Sequence, residues 1–118
     1  MGYYVRACVE FSAAHRIAGH PRCGRVHGHN YLVCVWVEEA EPMEVDLDFL
    51  EEWLRRNVFE RFDHRFLNEL LGLETVTSED IARLVAEGLG EVFPGRVRRV
   101  EVCETGRLCA GYEPAKGG

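Results

Sequence analysis

The stretch NYLVCVWVE at 30–38 is apolar at both parities, with Tyr31, Val33, Val35 and Val37 alternating with Leu32, Cys34 and Trp36. A strand sends successive side chains to opposite faces, so this segment reads as a strand that needs cover on both sides. The stretch before it alternates more simply. Tyr3, Val5, Ala7, Val9 and Phe11 fall on one face and Tyr4, Arg6, Cys8 and Glu10 on the other, which predicts a long half-buried strand from residue 3 to about 15.

After AEPME breaks the pattern, Asp46 or Asp48 can cap a helix over about 47–60, whose apolar positions Leu50, Trp53, Leu54 and Val58 keep helical spacing. Thr77 or Ser78, followed by Glu79 and Asp80, caps a second helix that ends near Gly90, with Ile81, Leu84, Val85 and Leu89 as its stripe. Residues 97–104, the TGR turn at 105–107 and LCAGY form a terminal hairpin. The order strand, strand, helix, helix, strand, strand predicts an α+β fold: one antiparallel sheet with two helices on one face, in a single domain spanning residues 1–118. The apolar residues on the other face of the second strand then call for a partner, and homo-oligomerisation supplies one.

Composition narrows the function classes. Apolar residues make up 47% and charged residues 29%, and no run approaches a membrane span. The N-terminus has no targeting signal, so a soluble cytoplasmic protein is expected. A net charge of -6 argues against a nucleic-acid surface but allows an anionic small molecule where arginines gather locally. RVRR at 96–99 reads as a solvated strand edge. Five cysteines at irregular spacing suggest reduced thiols rather than a disulfide framework.

Chemistry concentrates around CGRVHGHNY at 23–31. Strand parity puts His27, His29 and Tyr31 on one face, and an antiparallel return from Arg16 to Val26 brings His15 beside them. Three imidazoles on adjacent strands make a platform suited to zinc, with a fourth position left for water or substrate. His20 reads as a turn residue. Cys23 is either a fourth ligand or a base or nucleophile beside the cation, and spacing does not separate the two. Asp63 and His64 are adjacent, as in a pair that activates a thiol or in a plain loop cap. Glu104 shares a face with Val100 and Val102, and needs either an arginine or the parallel N–H groups of an amidine-like heterocycle such as guanine or pterin.

FSAAH at 11–15, CGRVHGHNY at 23–31, MEVDLDFL at 43–50, FDHRFLN at 62–68, TSED at 77–80 and ET at 104–105, in this order, resemble the 6-pyruvoyltetrahydropterin synthase and 6-carboxytetrahydropterin synthase family. The resemblance implies the tunnelling fold (T-fold), a four-stranded antiparallel sheet with two helices, assembled as trimers that pair into homohexamers. It implies Zn2+ held by His15, His27 and His29, with Cys23 as a catalytic base outside the zinc shell and Asp63 and His64 as its catalytic partners. Glu104 would anchor the pterin, Thr77 and Ser78 would contact it, and Asp63 and His64 would act on the Cys23 of a neighbouring subunit.

The short CxxxHGH interval is similar to the bacterial and archaeal 6-carboxy enzymes. They turn 7,8-dihydroneopterin triphosphate into 6-carboxy-5,6,7,8-tetrahydropterin, acetaldehyde and triphosphate, a step toward 7-deazaguanine nucleosides of the queuosine type. The alternatives are a 6-pyruvoyl synthase, which is a lyase that eliminates triphosphate, and a zinc-stabilised interaction module without chemistry. Arg16, Arg22, Arg25, Arg107 and Lys116 are the candidates for holding the triphosphate. Three departures from the family pattern stand out: Val76 where proline is common, Asp80 where asparagine is usual, and Phe62 where leucine is usual. Asp80 places extra negative charge near the implied pterin end.

Overall fold

The computed structural model describes residues 2–115. Lys116, one of the triphosphate candidates, lies outside them. Four strands, β1 (Tyr3–His15), β2 (His27–Glu39), β3 (Val97–Thr105) and β4 (Leu108–Tyr112), form one antiparallel sheet in the order β1-β2-β3-β4. The two long strands pair along their whole length from Tyr3↔Glu39 to His15↔His27. At about 3.4 Å per residue, two 13-residue strands account for most of the molecule's 47 Å long axis.

The helical layer covers the odd-parity face of β2, where Tyr31, Val33, Val35 and Val37 are fully buried. Helix α1 (Leu47–Leu54) starts at Asp46, whose carboxylate accepts from the N–H groups of Asp48 and Phe49. It runs on through a π-helical turn (Arg55–Phe59) into the short α2 (Glu60–Phe62). The π turn has a readable cause. Leu50, Leu54, Val58 and Phe62 are all buried at strict four-residue spacing, which in a 3.6-residue helix drifts by about 40° per step. Widening one turn absorbs that drift and keeps the stripe on the sheet.

Helix α4 (Ser78–Val92) packs against β3 and β4 through Ile81, Val85 and Leu89. A short helix absent from the sequence expectation, α3 (Leu67–Leu71), sits between and ends at Gly72, whose φ of 67° is the left-handed cap glycine tolerates. With this exception, the predicted layering and strand order are those observed.

Two expectations change on the opposite face. The chain does not carry five reduced thiols: Cys8–Cys34 and Cys103–Cys109 are disulfides, and Cys23 is the free cysteine. The irregular sequence spacing concealed this because the antiparallel register, not the spacing, sets Cys8 opposite Cys34 and Cys103 opposite Cys109. The face is also less bare than its residues suggested. Cys34 is 2% exposed, and Trp36 has the Arg6 and Arg99 guanidiniums 5.2 and 5.0 Å from its ring centroid. RVRR is engaged within the chain too: Arg96 pairs with Glu44, Arg98 lies over Tyr4, and Arg99 pairs with Glu101.

Candidate active site

His15 and His27 face each other at the end of the β1–β2 ladder, and His29, two residues on, stands opposite the small Ala13. The three ring centroids are 4.5 to 5.0 Å apart, and one nitrogen from each ring falls within a 4.8 Å group. Second partners fix which nitrogens converge. His15 Nδ1 lies 2.7 Å from the Val76 carbonyl and His27 Nδ1 lies 2.6 Å from the Arg25 carbonyl, so each Nδ1 carries its proton and each Nε2 presents a lone pair. The Nε2 atoms of His15 and His29 are buried without a hydrogen-bond partner. Burial pushes both imidazoles below their ordinary value, the Val76 carbonyl partly opposing this for His15 and Glu104 for His29. Three converging ring nitrogens, two of the Nδ1 atoms already engaged by carbonyls and two of the Nε2 atoms unpartnered, fit a zinc ion.

Val76 is itself informative. Its carbonyl orients His15, and its N–H donates to the Arg16 carbonyl at 3.2 Å, a bond that proline at this position could not make. Asn68, which sequence reasoning passed over, holds the same corner. Its side chain accepts from Arg16 N–H and donates to the Arg16 and Glu74 carbonyls. The signal was the asparagine in FLN, a polar residue on a short helix that turned out only 6% exposed.

Cys23 lies outside the 4.8 Å imidazole group. Its loop is organised by His20, whose Nδ1 accepts from the N–H groups of Arg22 and Cys23, which bears out the turn role expected of it. The loop closes where the Cys23 carbonyl accepts from Ile17 N–H. Gly24 is required at this point, since a Cβ there would come 2.6 Å from the His20 carbonyl oxygen.

Asp63 and His64 reach the site from the far side of β1. The 64–66 segment runs along that strand's free edge, with His64 N–H donating to the Ser12 carbonyl and Ala14 N–H to the Arg65 carbonyl. Asp63 accepts from Ser12 N–H at 2.9 Å and from His64 Nδ1 at 2.7 Å, and these bonds, Ser12 first, hold its carboxyl below the usual range. Asp63 is thus both loop anchor and imidazole orienter. His64 adopts φ 58°, a left-handed conformation that costs a non-glycine residue about 1–3 kcal/mol. Its side chain is 82% exposed and, with His29, lines a cleft of about 530 Å³ of which Cys23 is not part.

Glu104 has no arginine partner among the described residues. Its Oε1 accepts from Ser78 Oγ at 3.3 Å and its Oε2 lies 3.6 Å from His29 Nε2. Tyr31, buried beside His15 and His29, completes this wall, and its phenol pKa is raised by burial first and the Glu104 charge second. Thr77 forms a capping box with Asp80: Thr77 Oγ1 accepts from Asp80 N–H, and Asp80 Oδ2 accepts from Thr77 N–H. The Asp80 charge is therefore spent on the α4 N-terminus, where the helix dipole favours it. The Thr77 hydroxyl keeps its proton free to donate. Arg16, Arg22, Arg25 and Arg107 are exposed.

The family model described as 6-pyruvoyl tetrahydropterin synthase matches residues 4–115. The chain belongs to the 6-pyruvoyl tetrahydropterin synthase family. A Synechocystis protein named 6-carboxy-5,6,7,8-tetrahydropterin synthase is 35% identical over 111 residues, covering 86% of each chain. An Archaeoglobus fulgidus protein that carries the same name as a provisional assignment is 43% identical over 98 residues, covering 80% of this chain and 81% of its own. Among solved structures, 6-pyruvoyl tetrahydropterin synthase of Caenorhabditis elegans is 27% identical with a TM-score of 0.80 over 96% of both chains. The fold is the T-fold of this family.

Proposed function

We propose that this member of the synthase family is a zinc-dependent 6-carboxy-5,6,7,8-tetrahydropterin synthase that acts as a single domain, on a pathway to 7-deazaguanine nucleosides of the queuosine type. It converts 7,8-dihydroneopterin triphosphate and water to 6-carboxytetrahydropterin, acetaldehyde and triphosphate. The observation that carries the zinc part is that one ring nitrogen from each of His15, His27 and His29 falls within 4.8 Å of the others, while the Nδ1 atoms of His15 and His27 are committed to backbone carbonyls and the Nε2 atoms of His15 and His29 have no hydrogen-bond partner. The 6-carboxy names of the two relatives and the short interval from Cys23 to His27 favour that product over the pyruvoyl one.

His15, His27 and His29 would hold the ion, which supplies Lewis-acid polarisation of the substrate's side-chain oxygens. Glu104 accepts the two parallel N–H groups of the pterin's amino-pyrimidinone edge, and the hydroxyls of Ser78 and Thr77 flank it. Cys23, as the catalytic base, takes the carbon-bound proton. His64, oriented by Asp63, exchanges protons with the side-chain oxygens, a role worth about 10²- to 10⁴-fold. The exposure of His64 and the position of Cys23 outside its cleft support a site shared between subunits of a hexamer, with the His64 of one chain serving the Cys23 of the next.

Cys23→Ala tests the assignment: the variant keeps stoichiometric zinc and loses turnover. Loss of zinc would make Cys23 a fourth ligand and the site a closed structural one. That result would favour the interaction-module reading, in which Asp63, His64 and Glu104 also tolerate substitution.

A further inference from the structure

The β3–β4 hairpin gathers a second set of metal-binding atoms, on the sheet face away from the imidazoles. Glu101, Cys103 and Cys109 each offer one ligand atom, and the three atoms lie within 4.8 Å of one another. Register explains the grouping. Cys103 and Cys109 are cross-strand partners, and Glu101 is two residues along β3 from Cys103, so all three side chains share a face. Cys103 pairs with Leu32, which puts this face opposite to the one that carries Tyr31 and Glu104.

The strands hold this arrangement independently of the bond between the sulfurs. The β3–β4 ladder runs from Val100↔Tyr112 to Thr105↔Leu108, and Thr105 Oγ1 closes the turn by accepting from the N–H groups of Arg107 and Leu108. Reduced, the two sulfurs still face each other. Strands about 4.8 Å apart suit the roughly 3.8 Å that separates two thiolates on one tetrahedral zinc, whose Zn–S bonds are about 2.3 Å. Glu101 is preset as the third ligand: its Oε2 accepts from the Arg99 guanidinium at 2.8 Å, while its Oε1 lies 3.8 Å from Cys103 Sγ. An outer partner that orients a ligating carboxylate is the usual support of a metal site. Entry is past Cys109, which is exposed, whereas Cys103 is only 6% exposed.

We propose that Glu101, Cys103 and Cys109 form a second metal site, which takes a thiophilic divalent cation such as zinc or cadmium and opens only when the Cys103–Cys109 disulfide is reduced. Two thiolates and a carboxylate select such a cation over magnesium or calcium, which take all-oxygen ligands. In the disulfide the sulfurs are bonded to each other and carry no thiolate charge. A dithiol reductant passes two electrons and two protons to that bond and becomes a disulfide itself; the two thiols then release both protons to solvent as the cation binds. Water takes the fourth position. The inference is independent of the imidazole site and of the pterin reading.

Cys8–Cys34 supplies the internal comparison. It is also a cross-strand pair on this face, with Cys34 opposite Glu101, yet it belongs to no group of three ligands among the described residues.

The probe is Cd2+, whose thiolate complexes absorb in the ultraviolet by charge transfer and whose imidazole complexes do not. It is titrated into Cys23→Ala protein, in which the only cysteines left are the four of the disulfides, before and after reduction with a dithiol that is then removed. Reduced protein should show the band and oxidised protein should not. Replacing Cys103 and Cys109 together with serine should abolish it, and replacing Cys8 and Cys34 together should leave it. Glu101→Ala should weaken the cadmium affinity at least about 10-fold, the loss that removing even an outer partner brings. A band in oxidised protein, no band in reduced protein, or a band that follows Cys8 and Cys34 would overturn the proposal. So would loss of the sheet on reduction, read by circular dichroism, because strand register is what holds the ligands.

A crystal structure of reduced, zinc-loaded protein checks the site independently. An ion within about 2.3 Å of both sulfurs and about 2.0–2.2 Å of a Glu101 oxygen supports it, and two sulfurs without an ion between them overturn it.

Discussion

At the scale of single residues, the site is a set of protonation states arranged by backbone carbonyls. The Val76 and Arg25 carbonyls each claim an Nδ1–H, which leaves His15 and His27 with Nε2 as the only free nitrogen. Burial holds His15 and His29 below the ordinary imidazole value of about 6.5, so the unfolded chain takes up protons first as pH falls. The stability this neutrality provides is complete above that value and declines as pH drops toward the folded values. Metal-free protein should therefore show a falling Tm between pH 7.5 and pH 5 in scanning calorimetry, and His15→Phe should flatten that slope. An unchanged slope would mean that burial of His15 does not control it. Sequence parity identified all three imidazoles because a two-residue period is a local rule. The orienting carbonyls escaped it, since their roles depend on which atoms meet across strands.

At the scale of elements, the site is supported by helix and strand ends rather than centres. The Thr77–Asp80 box anchors the start of α4, next to Ser78 and therefore to Glu104. Thr77→Ala should cost about 1 kcal/mol in urea unfolding, and Thr77→Ser, which keeps the capping oxygen, should cost less than half of that. Leu89, buried on the last turns of α4, should cost about 2–5 kcal/mol when truncated to alanine, because the sheet beneath cannot collapse into the gap. The strands and both main helices could be read from apolar period and caps. The π turn at 55–59 could not, because four-residue spacing also fits an ordinary helix until the whole stripe must face one sheet. The short α3 was hidden for a different reason: five residues carry too little periodicity to separate a helix from a loop.

At the scale of the whole molecule, the sheet is stapled twice across its open face. Denatured, unreduced protein should titrate one thiol, from Cys23, and five after reduction. Reduction should lower stability by about 2–4 kcal/mol, chiefly through the 26-residue separation closed by Cys8–Cys34. Five titratable thiols without reductant would remove both staples. This pairing was invisible in the sequence because register links residues far apart in the chain.

His64 is exposed and shares its cleft with His29 but not with Cys23, which is what the proposed site between subunits requires. Sedimentation should find a hexamer. The central claim, that these imidazoles, Cys23 and Glu104 serve one pterin reaction, is tested most directly by incubating the zinc-loaded protein with 7,8-dihydroneopterin triphosphate and identifying every product by mass spectrometry. The account predicts 6-carboxytetrahydropterin, acetaldehyde and triphosphate in equal amounts. A 6-pyruvoyl product without acetaldehyde, or substrate returned intact, would contradict it.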